Sequence, residues 1–275
     1  MQILNQNYIY KVVKKALEED LDPFGDITSK LIKNKKSKAK IIAKQNGVVA
    51  GLDFCKAAFK LLEKDIIFSK KIRDGARVKK GKVVAIISAN TRTILSAERT
   101  SLNFLSHASG VATLTNHFVN KSNKKTKICC TRKTTPNLRL LEKYAVKKGG
   151  GFNHRFNLSH EIMIKDNHIS AEKNFTELVK KAIKTKKIIT VEIDNIKQLK
   201  NILGLKFKRI LFDNMSLNIL KKCLKLCKNK YETEYSGNVS LSNIRKISNT
   251  KVNRVSIGSL THSAKNFDFS LEFEN

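Results

Sequence analysis

Between Tyr8 and Leu21 the apolar residues Ile9, Val12, Val13, Ala16 and Leu17 fall on one face of a helix, and Asp22-Pro23-Phe24-Gly25 ends the pattern. Two strand-like stretches follow, around Lys40 to Ala50 and Lys82 to Ser88, with a short helix near Phe54 to Glu63. Gly75 and Gly81 mark turns. The Gly75-x-x-Val78-x-x-Gly81 spacing also suits the hairpin of a lipoyl or biotinyl carrier, but no strand-flanked lysine occupies a tip, so a structural hairpin is expected. The stretch from Ser96 to Val119 then has helical periodicity through Leu102, Leu105, Ala108 and Val111.

Beyond it the pattern changes. Six short apolar runs recur, with helix-like stretches between several of them: KICCTRKT, EIMIKDNH, IITVEIDN, RILFDNM, YETEYSGN and RVSIGSL. Most begin apolar and finish polar, at Arg132 and Lys133, Lys165 and Asp166, Glu192 and Asp194, Asp213, Glu234 and Ser236, and Gly258 and Ser259. In a parallel barrel the C-terminal strand ends gather on one face, whereas a doubly wound sheet collects them only at a switch point. Polar endings in all six runs favour the barrel. The predicted fold class is therefore α/β: a small N-terminal α+β domain over residues 1–108 and an incomplete, about six-stranded, parallel β/α barrel over 109–264. Phe267, Phe269, Leu271 and Phe273 alternate as a final strand, predicting that residues 265–275 return to the first domain.

Charge adds one question and no answer. The chain of 275 residues carries 55 Lys plus Arg against 23 Asp plus Glu, a formal charge of +32, which favours anionic partners. The Lys-rich stretches at Lys33–Lys40 and Lys184–Lys187 are interspersed with Ile and Asn and contain no aromatic residues, so they read as solvated faces. A stacking platform for single-stranded nucleic acid is not supported. The five cysteines have no framework spacing and no neighbouring metal ligands, which predicts buried thiols in a reducing compartment. With no cleavable leader pattern at the start and no segment long enough to span a bilayer, a cytoplasmic protein is expected.

Several strings together resemble the quinolinate phosphoribosyltransferase family: ERTSLN at Glu98–Asn103, TRKTTP at Thr131–Pro136, LEKYAVKKGGGFNHR at Leu141–Arg155, IKDNH at Ile164–His168, VEID at Val191–Asp194 and LFDNM at Leu211–Met215. Their order and spacing match over nearly the whole chain. The resemblance implies transfer of phosphoribosyl from phosphoribosyl pyrophosphate to quinolinate, with decarboxylation, in NAD biosynthesis.

It further implies that Arg132, Lys133, His154, Arg155 and Lys165 line a quinolinate pocket, with Arg99 reaching it from the neighbouring subunit of a homodimer. Guanidinium groups suit that task because they grip carboxylates through paired hydrogen bonds. Glu192 and Asp213 are expected near the ribose and Mg2+, an ion that takes one or two carboxylates besides substrate phosphates and water. A lone strand-end acid is often a helix N-cap, the competing reading for Asp213. Lys133 and Lys165 are expected on the pyrophosphate, and Ser236, Gly237, Gly258 and Ser259 in turns around the 5-phosphate. The family usually has a second glycine after Ser-Gly, where this chain has Asn238. Rival expectations are a phosphoribosyltransferase for a different acid, either molybdenum-associated or nicotinate-specific, and a nonspecific basic nucleic-acid-binding protein.

Overall fold

The computed structural model describes residues 4–172 and 174–274. In chain order its elements are α1 (Gln6–Leu21), β1 (Lys36–Ala43), β2 (Gly47–Val48), α2 (Leu52–Leu62), β3 (Ile67–Lys70), β4 (Arg77–Val78), β5 (Val83–Asn90), α3 (Thr91–Lys121) and β6 (Lys127–Cys129). There follow α4 (Arg139–Lys148), β7 (Ile162–Ile164), α5 (Asp166–Ala171), α6 (Phe175–Lys184), β8 (Ile189–Ile193), α7 (Ile196–Ile202) and β9 (Arg209–Asp213). The chain ends with α8 (Leu217–Cys227), β10 (Glu232–Ser236), α9 (Ile244–Ser248), β11 (Arg254–Ser256), α10 (Ser259–His262) and β12 (Phe269–Phe273). Two compact units result. One holds the chain up to Asn116, Thr134–Gly150 and the stretch from Leu260 onward; the other holds His117–Lys133 and Gly151–Ser259.

In the first unit α1 starts where the Asn5 side chain accepts the Tyr8 N–H, and it buries Ile9, Val13 and Leu17, residues spaced four apart on one face. The main sheet is antiparallel in the order β12-β1-β5-β3. Strand β1 begins inside the Lys33–Lys40 run: Lys36 and Lys38 are exposed while Ala39, Ile41 and Ala43 are buried. Part of what reads as a solvated charge run is thus the outer face of a strand. Strand β3 was not expected; it is a short edge strand whose residues are at most half-buried, so its sequence carries little apolar signal. Asn275, the end of the expected terminal strand, lies outside the described residues.

The first unit also takes in Thr134–Gly150, beyond the expected 1–108 and 265–275. The reason is packing of α4 against α3. A Cβ on Gly149 would come within 2.3 Å of the Ala112 carbonyl oxygen, so the two backbones meet where only glycine fits. The buried Glu142 carboxylate accepts the Thr135 N–H and faces His107 Nε2 at 2.9 Å.

The second unit is a six-stranded parallel sheet in the order β6-β11-β10-β9-β8-β7, with helices between successive strands from β7 to β11. All six apolar runs became its strands. Apart from β6, the spatial order follows chain order without reversal, as an incomplete barrel requires and a doubly wound sheet does not. Among the described residues β6 and β7 are not paired with each other; beside β6 a single parallel bridge joins Cys129 to Phe152.

Alternation along the strands sends Ile210, Phe212, Tyr235 and Val255 into the apolar layer and leaves Arg209, Glu232, Glu234, Arg254 and Ser256 on the opposite face. All five cysteines are free and buried, and burial pushes the Cys55 thiol up to about 12 and the Cys227 thiol to about 11. Among the described residues no helix is long and apolar enough to cross a membrane.

Candidate active site

Because the six strands run parallel, their C-terminal ends lie along one edge of the sheet. Lys165 directly follows β7, and its ammonium donates to Glu192 Oε2 on β8 at 2.7 Å. The remainder of IKDNH holds this lysine in place: His168 Nδ1 accepts the Lys165 backbone N–H at 3.1 Å and keeps residue 165 extended ahead of α5. The Lys165 side chain is 41% exposed and that of Glu192 only 11%. Burial is the main reason the Glu192 carboxyl titrates above the usual range; Lys165 opposes the shift, while Asp213 and Asp166 add to it.

Asp213 ends β9 beside Ser236 of β10. It is not the cap of α8, because the Ser216 side chain accepts the Ile219 N–H there. The N-cap alternative for Asp213 therefore falls.

Arg155 is buried, and its Nη1 donates to the Glu161 carbonyl at 3.1 Å. Burial first, and then the nearby Arg132 guanidinium, lower its pKa, while Glu161 and Glu192 pull the other way. Arg132 and Glu192 thus both act on Arg155, and Lys165 and Asp213 both act on Glu192. His154 is buried beside them: Nδ1 accepts the Arg155 N–H at 2.7 Å, and Nε2 lies 3.4 Å from Glu234 Oε1. Lys133 is exposed on the loop after β6, where its N–H donates to Thr131 Oγ1.

The adjacent strands β10 and β11 end in the two expected turns. Gly237 has φ +105°, and a Cβ there would lie 2.7 Å from Asn214 Cα, so glycine alone fits. Asn238 takes the left-handed conformation its neighbour position demands, φ 46°, and its amide donates to Asn214 Oδ1 at 3.0 Å. Gly258 and Ser259 follow β11. The second unit therefore contains every expected site residue except Arg99. That residue is exposed on α3 in the first unit and makes no hydrogen bond or ion pair with any described residue.

One set of residues was not anticipated. Arg209 faces Glu161 at 3.3 Å, Glu232 at 2.9 Å and Glu234 at 3.5 Å; Arg254 faces Glu232 at 3.5 Å and Glu234 at 3.3 Å. Burial alone would raise the Glu234 carboxyl, but His154, Arg254 and the Ser256 hydroxyl outweigh it and hold it near about 2. The sequence signal was Glu234 at the polar end of its run, within Tyr-Glu-Thr-Glu-Tyr, two acids at strand spacing between aromatic residues.

Fold and site together define an α/β-barrel enzyme whose strand ends gather cationic and acidic side chains. The quinolinate phosphoribosyl transferase C-terminal domain family matches residues 111–272, and the N-terminal domain family matches residues 26–109. The chain belongs to the quinolinate phosphoribosyltransferase family. It is 39% identical over 274 residues to a probable nicotinate-nucleotide pyrophosphorylase (carboxylating) of Bacillus subtilis, covering 98% of this chain and 94% of that one. A probable enzyme of the same name from Methanocaldococcus jannaschii is 38% identical, covering 97% of this chain and 98% of that one. The crystal structure of NadC from Streptococcus pyogenes superposes with a TM-score of 0.94 at 36% identity, covering 100% of both chains.

Proposed function

We propose that this chain transfers the phosphoribosyl group of phosphoribosyl pyrophosphate to the ring nitrogen of quinolinate, with loss of one carboxylate as carbon dioxide. The products are nicotinate mononucleotide and pyrophosphate, and the reaction serves NAD biosynthesis. The observation that carries this reading is that Lys165, Glu192 and Asp213 lie at the C-terminal ends of the neighbouring strands β7, β8 and β9, Lys165 2.7 Å from Glu192, with Arg132 and Glu192 both near enough to shift Arg155. Two guanidinium groups held together against their mutual repulsion are stabilised when a doubly anionic ligand binds between them.

In this reading Arg132 and Arg155 grip the two carboxylates of quinolinate, with His154 and Lys133 beside them. Glu192 and Asp213 accept hydrogen bonds from the ribose hydroxyls and hold the anomeric carbon against the ring nitrogen. Such orientation contributes up to roughly 7–11 kcal/mol to a two-substrate reaction. The turns at Ser236-Gly237 and Gly258-Ser259 offer backbone N–H groups to the 5-phosphate.

As the bond to pyrophosphate breaks, Lys165 and Lys133 stabilise the departing anion. The ring nitrogen, once bonded to the sugar, is positive; the carboxylate on the adjacent carbon is lost as carbon dioxide because its electron pair remains on that carbon beside the charge, and the carbon then takes a proton from water.

Among the described residues no three His, Cys, Asp or Glu side chains cluster as a metal cage. Two oxygen donors, Glu192 and Asp213, suit a magnesium ion that shares its coordination with substrate phosphates and water. Magnesium supplies charge neutralisation to the pyrophosphate it accompanies.

Homodimerisation with Arg99 donated across subunits is supported by the exposure of that side chain without a described partner. Phe24, Ile27 and Leu31 are also exposed in the first unit, at 76%, 67% and 87%, as an interface would leave them in a single chain. Five free thiols fit a cytoplasmic setting. The test is incubation with quinolinate, phosphoribosyl pyrophosphate and magnesium, with detection of nicotinate mononucleotide. Absence of product, or preferential use of nicotinate, overturns the reading.

A further inference from the structure

We propose that Glu234 is a positioning residue for quinolinate recognition, acting through His154. The inference rests on the reading that His154 and Arg155 line the quinolinate pocket. Glu234 is fully buried, so it touches neither solvent nor a substrate at the strand ends. Its two oxygens face different neighbours. Oε2 lies 3.5 Å from Arg209 Nε and 3.3 Å from Arg254 Nε, which accounts for its charge. Oε1 is turned the other way, toward His154 Nε2 at 3.4 Å, and accepts from the Ser256 hydroxyl.

That division fixes the imidazole. His154 Nδ1 accepts the Arg155 N–H, so the ring proton belongs on Nε2, the nitrogen that faces Glu234. A second route reaches the same carboxylate from the other pocket residue. Arg155 donates to the Glu161 carbonyl, the Glu161 carboxylate pairs with Arg209, and Arg209 faces Glu234. His154 and Arg155, adjacent in sequence, are thereby anchored to one buried anion. A purely structural ion pair with the two arginines would need nothing from Oε1.

Glu234→Gln keeps the shape and removes the charge. With its carbonyl toward the arginines, its amide N–H would meet the Nε2–H of His154, donor against donor, and the imidazole must turn or change tautomer. The expected result is a KM for quinolinate raised about tenfold, as the charged contact at 3.4 Å that sets the imidazole is lost. KM for phosphoribosyl pyrophosphate should stay within about twofold, because uniform damage to the fold would move both. Glu232→Gln is the matched control: it disturbs Arg209 and Arg254 without reaching His154, and it should raise the quinolinate KM far less than Glu234→Gln does. The double variant His154→Asn/Glu234→Gln should bind quinolinate no worse than His154→Asn alone.

An unchanged quinolinate KM in Glu234→Gln overturns the proposal, as does an equal rise in Glu232→Gln or additive losses in the double variant. If Glu234→Gln does not fold, the imidazole 15N spectrum of the wild-type protein decides, with His154 assigned through His154→Asn. Protonation at Nε2 supports the proposal and protonation at Nδ1 overturns it. Wild-type turnover of quinolinate is measured in the same series. Its absence sinks the functional reading itself, whereas turnover with an indifferent Glu234→Gln sinks only this inference.

Discussion

Replacement of Lys165 by alanine separates chemistry from folding, because the two depend on this side chain by different amounts. The ammonium is 41% exposed, and among the described residues it forms an ion pair with Glu192 at 2.7 Å. An ion pair so open to water contributes about 1 kcal/mol or less to stability. Glu192 already titrates high through burial, so without Lys165 it takes up a proton more readily, which limits the cost of leaving it alone. For a protein of this size about 1 kcal/mol corresponds to roughly 2–4 °C in melting temperature. Removing one fixed donor aimed at developing charge, in contrast, costs about 100- to 1,000-fold in kcat. The assay is nicotinate mononucleotide formation at saturating concentrations of both substrates, beside a thermal melt of the same sample. Loss of turnover with a nearly unmoved melt is expected. Full activity would remove Lys165 from the mechanism, and a collapse of the melt would make it structural.

Three further outcomes follow from the geometry. Gly237→Ala places a Cβ against the Asn214 backbone at φ +105°, a strain of about 1–2 kcal/mol, and should raise KM for phosphoribosyl pyrophosphate while sparing that for quinolinate; equal values for both substrates would remove this turn from phosphate binding. Mixing Arg99→Ala with Lys165→Ala, each inactive alone, should restore about a quarter of wild-type activity, since half of the exchanged dimers are mixed and each contains one intact site. No recovery means that Arg99 does not cross between subunits. Glu234, held near about 2 against an ordinary 4.5, stabilises the fold fully above 4.5, and that contribution is lost as pH falls toward 2. Urea-unfolding free energies should therefore drop more steeply with acidification in the wild type than in Glu234→Gln, and parallel curves would contradict the assignment.

The six barrel strands were legible because buried parallel strands are short apolar runs, and their polar ends already marked the site edge. What escaped reading depended on partners distant in sequence. Lys36 and Lys38 do read as a solvated face, but that this face belongs to a strand appears only in the pairing of β1 with β5. Thr134–Gly150 joins the first unit through the approach of Gly149 to α3, a contact that only the folded chain reveals. Glu234 was visible as an acid at a strand end, but which way it points depends on register, and a shift of one residue would have sent it outward. His168 stands within the IKDNH string, yet its task of holding the Lys165 backbone appears only in the turn geometry.

The inward-facing arginines have a consequence for how such a lysine-rich chain can change. Only ten of the 55 basic residues are arginine, and in the second unit Arg132, Arg155, Arg209 and Arg254 are wholly or partly enclosed, Arg245 being the exception. A flat, forked cation cannot be exchanged for a point charge where two acids must be met at once, whereas an exposed ammonium other than those of Lys133 and Lys165 can be exchanged almost freely. The surface could therefore be rewritten toward neutrality, to improve handling or remove adventitious polyanion binding, while the enclosed forks stay untouched.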